Sequence, residues 1–145
     1  MTSTMHPLAG SCHCGNITVA VGLTRPPHEF IPRACDCEFC CKHGAAYISD
    51  PAGSLVIKLG DKQLLKKYRQ GSATADMLIC AGCGVLIGGG YQADGQLFAA
   101  INSRIIDGNG IFAASQPVSP KTLSAEEKVQ RWTQLWFRNV TISTT

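Results

Sequence analysis

Eight cysteines are the residues of this chain best suited to chemistry, and they come in groups: Cys12-x-Cys14, Cys35-x-Cys37-x-x-Cys40-Cys41 and Cys80-x-x-Cys83. Closely spaced pairs are how a chain offers thiolates to one metal ion, whereas disulfide scaffolds spread their half-cystines and need an oxidising compartment. The first ten residues lack the basic-then-apolar pattern of an export signal. Metal binding is therefore the expected use of these thiols, in a soluble, cytoplasmic protein.

In Cys80-Ala-Gly-Cys83-Gly84 a tight turn can point two thiolates at one ion, and the glycine behind frees the backbone to bend back. Cys12-His13-Cys14-Gly15 has the same character, with the His13 side chain between the ligands directed away. Sulfurs of a tetrahedral zinc site lie about 3.8 Å apart, so both pairs need turns rather than straight strands. Joined, Cys12, Cys14, Cys80 and Cys83 form a closed four-thiolate site that ties the N-terminal region to the middle of the chain. Such a zinc is structural, with no position left for a substrate.

The central group differs in kind. Cys35, Cys37 and Cys40 offer three thiolates within six residues, and three protein ligands leave a fourth position open, as in catalytic zinc sites. A thiol entering there would be deprotonated. Cys41 and His43 are alternative fourth ligands that would close the site. Otherwise Cys41 is a buried small side chain facing away, and His43 is a surface residue or a proton relay. Three thiolates around one divalent ion leave a net negative charge, which Arg33, Lys42 and His43 are placed in sequence to offset.

Two function classes follow: an enzyme working through the open zinc, or a binding module in which both zincs fasten loops for a macromolecular partner. A redox switch at Cys40-Cys41 or Cys37-x-x-Cys40 ranks below both, because adjacent cysteines rarely reach relaxed disulfide geometry. The formal charge of +3 is no argument for nucleic acid. Lysines and arginines are scattered, and seven thiolate charges against two divalent ions would subtract three from the total. No apolar run reaches the ~18 residues that span a bilayer. The expected partner is a small-molecule thiol or aldehyde, with neither nucleic acid nor membrane, and the sequence leaves the oligomeric state open.

These sites must be carried by a chain of 145 residues, 45% hydrophobic and 16% charged, which suits one globular domain over residues 1–145. Ile17, Val19 and Val21 alternate as in a half-buried strand. Residues 45–49 and 54–59 read as strands around the Asp50-Pro51-Ala52-Gly53 turn. Residues 64–69 read as a strand or a helical turn, 75–80 and 85–91 as arms of a hairpin about the Cys80–Gly84 turn, and 97–102 as one more strand. Gly88-Gly89-Gly90 fits close strand packing or a bulge. His6 and His28, beside prolines, read as solvent-facing. Ser124-Ala-Glu-Glu127 fits a capping box, with Val129, Trp132 and Trp136 at helical spacing behind it and the two tryptophans read as core. The domain is thus mainly β, with one short C-terminal helix.

The segments Gly10-Ser-Cys-His-Cys-Gly15, Cys35-Asp-Cys-Glu-Phe-Cys40, Lys42-His-Gly-Ala45 and Cys80-Ala-Gly-Cys-Gly84 resemble the glutathione-dependent formaldehyde-activating enzyme family, which includes the centromere protein V relatives. The resemblance runs over about residues 10–107, in the family's order. It implies an antiparallel β-tent-like fold, a structural zinc on Cys12, Cys14, Cys80 and Cys83, and a catalytic zinc on Cys35, Cys37 and Cys40. The activity it implies is carbon–sulfur lyase or synthase chemistry on an aldehyde–thiol adduct, such as S-hydroxymethylglutathione from formaldehyde and glutathione. One position departs: the residue after the third catalytic cysteine is commonly basic in the family and is Cys41 here. Lys42 restores a charge one step later, without a guanidinium's bidentate grip on a carboxylate.

Overall fold

Ile17, Val19, Val21 and Leu23 are all buried while the residues between them are more exposed, so one face of their strand is apolar and the other meets water. Leu55, Ile57 and Leu59 repeat the pattern on the strand paired with it. In this computed structural model, which describes residues 5–70, 73–108 and 110–144, the chain runs β1 (His6–Ser11), β2 (Ile17–Leu23), β3 (Arg33–Cys35), α1 (Glu38–His43), β4 (Tyr47–Ile48), β5 (Ser54–Leu59), β6 (Leu65–Tyr68), β7 (Asp76–Cys80), β8 (Leu86–Ala93), β9 (Gln96–Asn102), β10 (Gln116–Val118), α2 (Ala125–Leu135) and β11 (Asn139–Thr144). The protein is mainly β, as the alternation predicts.

Two sheets form, in the orders β1-β2-β5-β11 and β10-β3-β4-β9-β8-β7-β6. Most pairs are antiparallel. The exceptions are β10 on β3 and β11 on β5, both parallel and both at sheet edges. Because α2 lies between β10 and β11, the C-terminal segment puts one strand on each sheet and holds the two together.

The apolar faces of both sheets meet in one core that includes Ile17, Leu23, Leu55, Ile57, Leu78, Ile87, Ile101 and Phe137. Alternation along the larger sheet sends Tyr47, Met77, Leu86 and Ala100 to a second cluster, with Cys40, Ala45 and Trp136. Phe137, fully buried just after α2, exchanges backbone hydrogen bonds with Ala99 of β9 at 2.9 and 3.2 Å. That bridge pins the end of α2 beside the sheet. The Asp50 turn is fastened by its own carboxylate, which accepts from Thr24 N–H and Oγ1 and from Ala52 N–H at 2.6–3.1 Å.

The glycine run in β8 combines both readings made from its sequence. A bulge interrupts the β7–β8 register between Leu78 and Ile79, and a Cβ on Gly88 would collide with the Ala100 carbonyl on β9. Residues 64–69 divide: a 3-10 turn over Lys62–Leu64 precedes β6. The α2 capping box is present, Glu127 N–H donating to Ser124 Oγ at 3.1 Å and Ser124 N–H to Glu127 Oε1 at 2.9 Å.

Candidate metal and substrate site

Two turns from different sheets build the first cysteine cluster. Cys12 leaves β1, and its N–H donates to Ile17 O while Gly15 N–H donates back to Cys12 O, a tight loop completed by Gly15 at φ 81°. Cys80 ends β7, and Gly84 at φ 82° returns its N–H to Cys80 O at 2.7 Å. A Cβ is strained at either glycine. The four sulfurs of Cys12, Cys14, Cys80 and Cys83 lie within 4.8 Å of one another. The distances Cys12–Cys14 and Cys14–Cys80 are both 3.6 Å, close to the ~3.8 Å edge of a zinc–thiolate tetrahedron. Burial pushes Cys80 up to about 11. Burial also opposes ionisation of Cys83, but backbone N–H groups and the neighbouring thiols bring it to about 6.

The second cluster is local. Cys35 ends β3, Cys37 is the N-cap of α1 and Cys40 sits in its first turn, with Cys40 N–H donating to Cys37 Sγ at 3.4 Å. Their sulfurs also lie within 4.8 Å of one another. Without a cation the three cannot all ionise. Hydrogen bonding from Cys40 draws Cys35 down to about 6, the same hydrogen bond together with burial drives Cys40 far above the thiol range, and burial raises Cys37. A divalent ion is what lets all three act as thiolates together, so the donor set fits zinc.

Cys41 and His43 do not join this cluster. Cys41 is exposed rather than buried, with its thiol 3.8 Å from Cys35 O. His43 is exposed and packs on the Phe39 ring at 4.7 Å between centroids. Of the three residues expected to offset the thiolate charge, Arg33 alone borders the site. Lys42 pairs instead with Glu38 at 3.2 Å on the exposed side of α1. His28 is exposed as expected, His6 is half-buried in β1 rather than solvent-facing, and His13 is exposed.

Cys35, Cys37 and Cys40 open onto a cavity of about 350 Å³, within the range of small-molecule sites. Its other walls were not evident from cysteine spacing. Tyr47 places its hydroxyl 3.2 Å from Cys40 Sγ, and burial holds it protonated well above the usual phenol range. Gln70 Nε2 lies 3.9 Å from Cys37 Sγ. The α2 helix contributes Lys128, Arg131 and Trp132, with Trp136 just beyond it. Both tryptophans are half-buried cavity wall, and Trp136 also packs against the second core cluster as its spacing suggested. Their rings stack at 5.1 Å, and the Trp136 ring rests over Gly89. Arg33 donates to Ser49 Oγ at 2.7 Å, and burial together with the charge of Arg131 lowers it to about 10. Asp36, between two of the cysteines, accepts from Ser119 Oγ and lies 3.9 Å from Lys121, latching the approach to α2 onto the cysteine loop.

A β fold with one cysteine cluster joining its sheets and another at the wall of a cavity defines a protein able to hold two metal ions, one of them beside a ligand site. Residues 7–127 match the family model described as glutathione-dependent formaldehyde-activating enzyme, and the chain belongs to that family. No curated protein matches it. A crystal structure of a Rhodobacter sphaeroides protein is similar at 25% identity and a TM-score of 0.55, over 74% of this chain and 99% of that one. Among the described residues, no helix is long and apolar enough to cross a membrane.

Proposed function

We propose that the protein makes and breaks a carbon–sulfur bond between a small-molecule thiol and a small aldehyde, with zinc on Cys35, Cys37 and Cys40 as catalytic metal and zinc on Cys12, Cys14, Cys80 and Cys83 as structural metal. The carrying observation is that the cluster of Cys35, Cys37 and Cys40 borders a cavity, with Cys41 and His43 outside the cluster. Zinc held by these three residues would supply Lewis acidity and lower the pKa of a bound thiol.

The chain's own residues do the rest. The cavity walls hold the two reactants together, which converts a bimolecular addition into an oriented one. Tyr47, held protonated, donates to the Cys40 sulfur and fixes that ligand. The reaction balances without oxidant or reductant: the thiol sulfur bonds to the aldehyde carbon, the carbonyl π bond breaks, and the proton given up by sulfur is matched by one taken by oxygen. Reversal is the lyase direction. Glutathione and formaldehyde are the pair that the family's description supplies, and the cytoplasm is a compartment that keeps such thiols reduced.

Exchange spectroscopy on glutathione mixed with formaldehyde tests this reading, comparing the protein, Cys37→Ser and no protein, because thiols add to formaldehyde unaided. Acceleration by the protein and not by Cys37→Ser is expected. Exchange no faster than the blank, with this pair and with other thiol–aldehyde pairs, would refute the activity.

A further inference from the structure

The cavity carries more information about its occupant than the cysteines do. Four cations line it: Arg33, Lys121, Lys128 and Arg131. Lys121 is partnered by Asp36, but among the described residues neither Arg33 nor Arg131 has a carboxylate within ion-pair distance. Among the described residues, no acidic residue lines the cavity. Two guanidiniums and two lysines outnumber the single net negative charge that three thiolates on one divalent ion would carry, so the pocket is suited to an oxyanion brought by a ligand.

The apolar part has an equally definite shape. Lys128, Arg131 and Trp132 share one face of α2 by their i, i+3, i+4 spacing, so cations and indole are presented side by side. Trp132 stacks on Trp136, and Tyr91 buttresses it at 5.5 Å. Beneath Trp136, Gly89 offers no side chain, and a Cβ there would come within 3.2 Å of the indole. Met77 completes this side. Stacked indoles over a glycine floor favour a flat apolar group, because aromatic faces gain most from offset stacking.

Glutathione's two carboxylates suit the guanidiniums, but it is flexible, has no flat apolar group to set against the indoles, and carries an ammonium for which no acidic residue lines the cavity among the described residues. Lys128, Arg131, Trp132 and Trp136 also lie beyond residue 127, where the family match ends.

We propose that the cavity selects an anionic substrate with a flat, apolar body, an aryl carboxylate bearing the reacting thiol or carbonyl, with Arg33 and Arg131 on the carboxylate and Trp132 and Trp136 against the ring. This rests on the carbon–sulfur reading for the reacting group, but the recognition elements can be tested without any reaction.

The probe is 4-ethylbenzoate, which carries neither thiol nor aldehyde. The only two tryptophans of the chain border the cavity, so intrinsic fluorescence of the zinc-loaded protein reports binding there. Saturable quenching is expected at a Kd at least tenfold below those of 4-ethylbenzamide, hexanoate and S-methylglutathione, whose blocked sulfur cannot bind zinc as a thiolate. Arg131→Gln should raise the Kd for 4-ethylbenzoate about tenfold and leave that for the amide unchanged. Trp132→Leu, read through Trp136, should weaken both aryl ligands, and circular dichroism checks that each variant is folded. Equal affinity for 4-ethylbenzoate and 4-ethylbenzamide, tighter binding of S-methylglutathione or hexanoate, or no saturable quenching would each overturn the proposal. Because the probe cannot react, these results stand apart from the exchange experiment: binding without exchange activity refutes the chemistry alone, and exchange on glutathione without binding refutes this substrate class alone.

Discussion

Cys40 and Cys41 are neighbours in sequence with opposite surroundings, one buried among sulfurs and the other exposed. About 100° of turn per helical residue separates them, which is why α1 can bring Cys40 to the cluster and must carry Cys41 away. The sequence left Cys41 and His43 open as fourth ligands because α1 itself, six residues long, was not evident in it. Cys41→Ser should keep two zinc ions per chain and change stability by no more than ~0.5 kcal/mol, whereas Cys40→Ser should lose the central ion; metal analysis after gel filtration, with thermal melts, checks both. Tyr47 gave no spacing signal, because its role comes from alternation on a strand brought beside α1. Removing its hydroxyl in Tyr47→Phe should cost about 1 kcal/mol of stability and slow the exchange reaction while leaving zinc content intact. Unchanged exchange kinetics would take Tyr47 out of the site.

At the scale of elements, β2, β5 and β9 were legible because each alternates cleanly or runs between strong turn residues, and α2 announced itself through its capping box. The strands β1, β10 and β11 were not. They are edge strands with mixed exposure, and their pairing partners are set by tertiary contacts rather than local pattern. The tryptophans of α2 show the same limit: helical spacing marks a face but not what lies opposite it. Gly88 belongs to this scale, since it lets β8 and β9 approach. Gly88→Ala drives a methyl into the Ala100 carbonyl and should destabilise by about 1–3 kcal/mol or more, measured by urea unfolding. A neutral result would mean that the bulge can shift to absorb it.

For the whole molecule, the two cysteine clusters have unlike consequences. Cys12 and Cys14 come from a hairpin of the smaller sheet, Cys80 and Cys83 from one of the larger. Structural zinc in small domains contributes on the order of 10 kcal/mol, comparable with the ~5–15 kcal/mol that a whole domain retains. Cys83→Ser should therefore leave the protein unfolded or melting far lower. Cys35→Ser, in a cluster confined to one short loop, should keep the fold. Equal losses in thermal melts would contradict that division. Mild chelation should remove one zinc per chain before the other, with the fold retained by circular dichroism after the first has gone.

Zinc-edge X-ray absorption on the zinc-loaded protein, before and after adding excess small thiol, tests most directly whether one site is closed and the other open. A four-sulfur site and a three-sulfur site average about 3.5 sulfurs per zinc, and a half-occupied shell of oxygen or nitrogen should accompany them. Added thiol should raise the average toward four as that light shell disappears. Four sulfurs per zinc at the outset, unchanged by thiol, would mean that the central ion is closed to substrate.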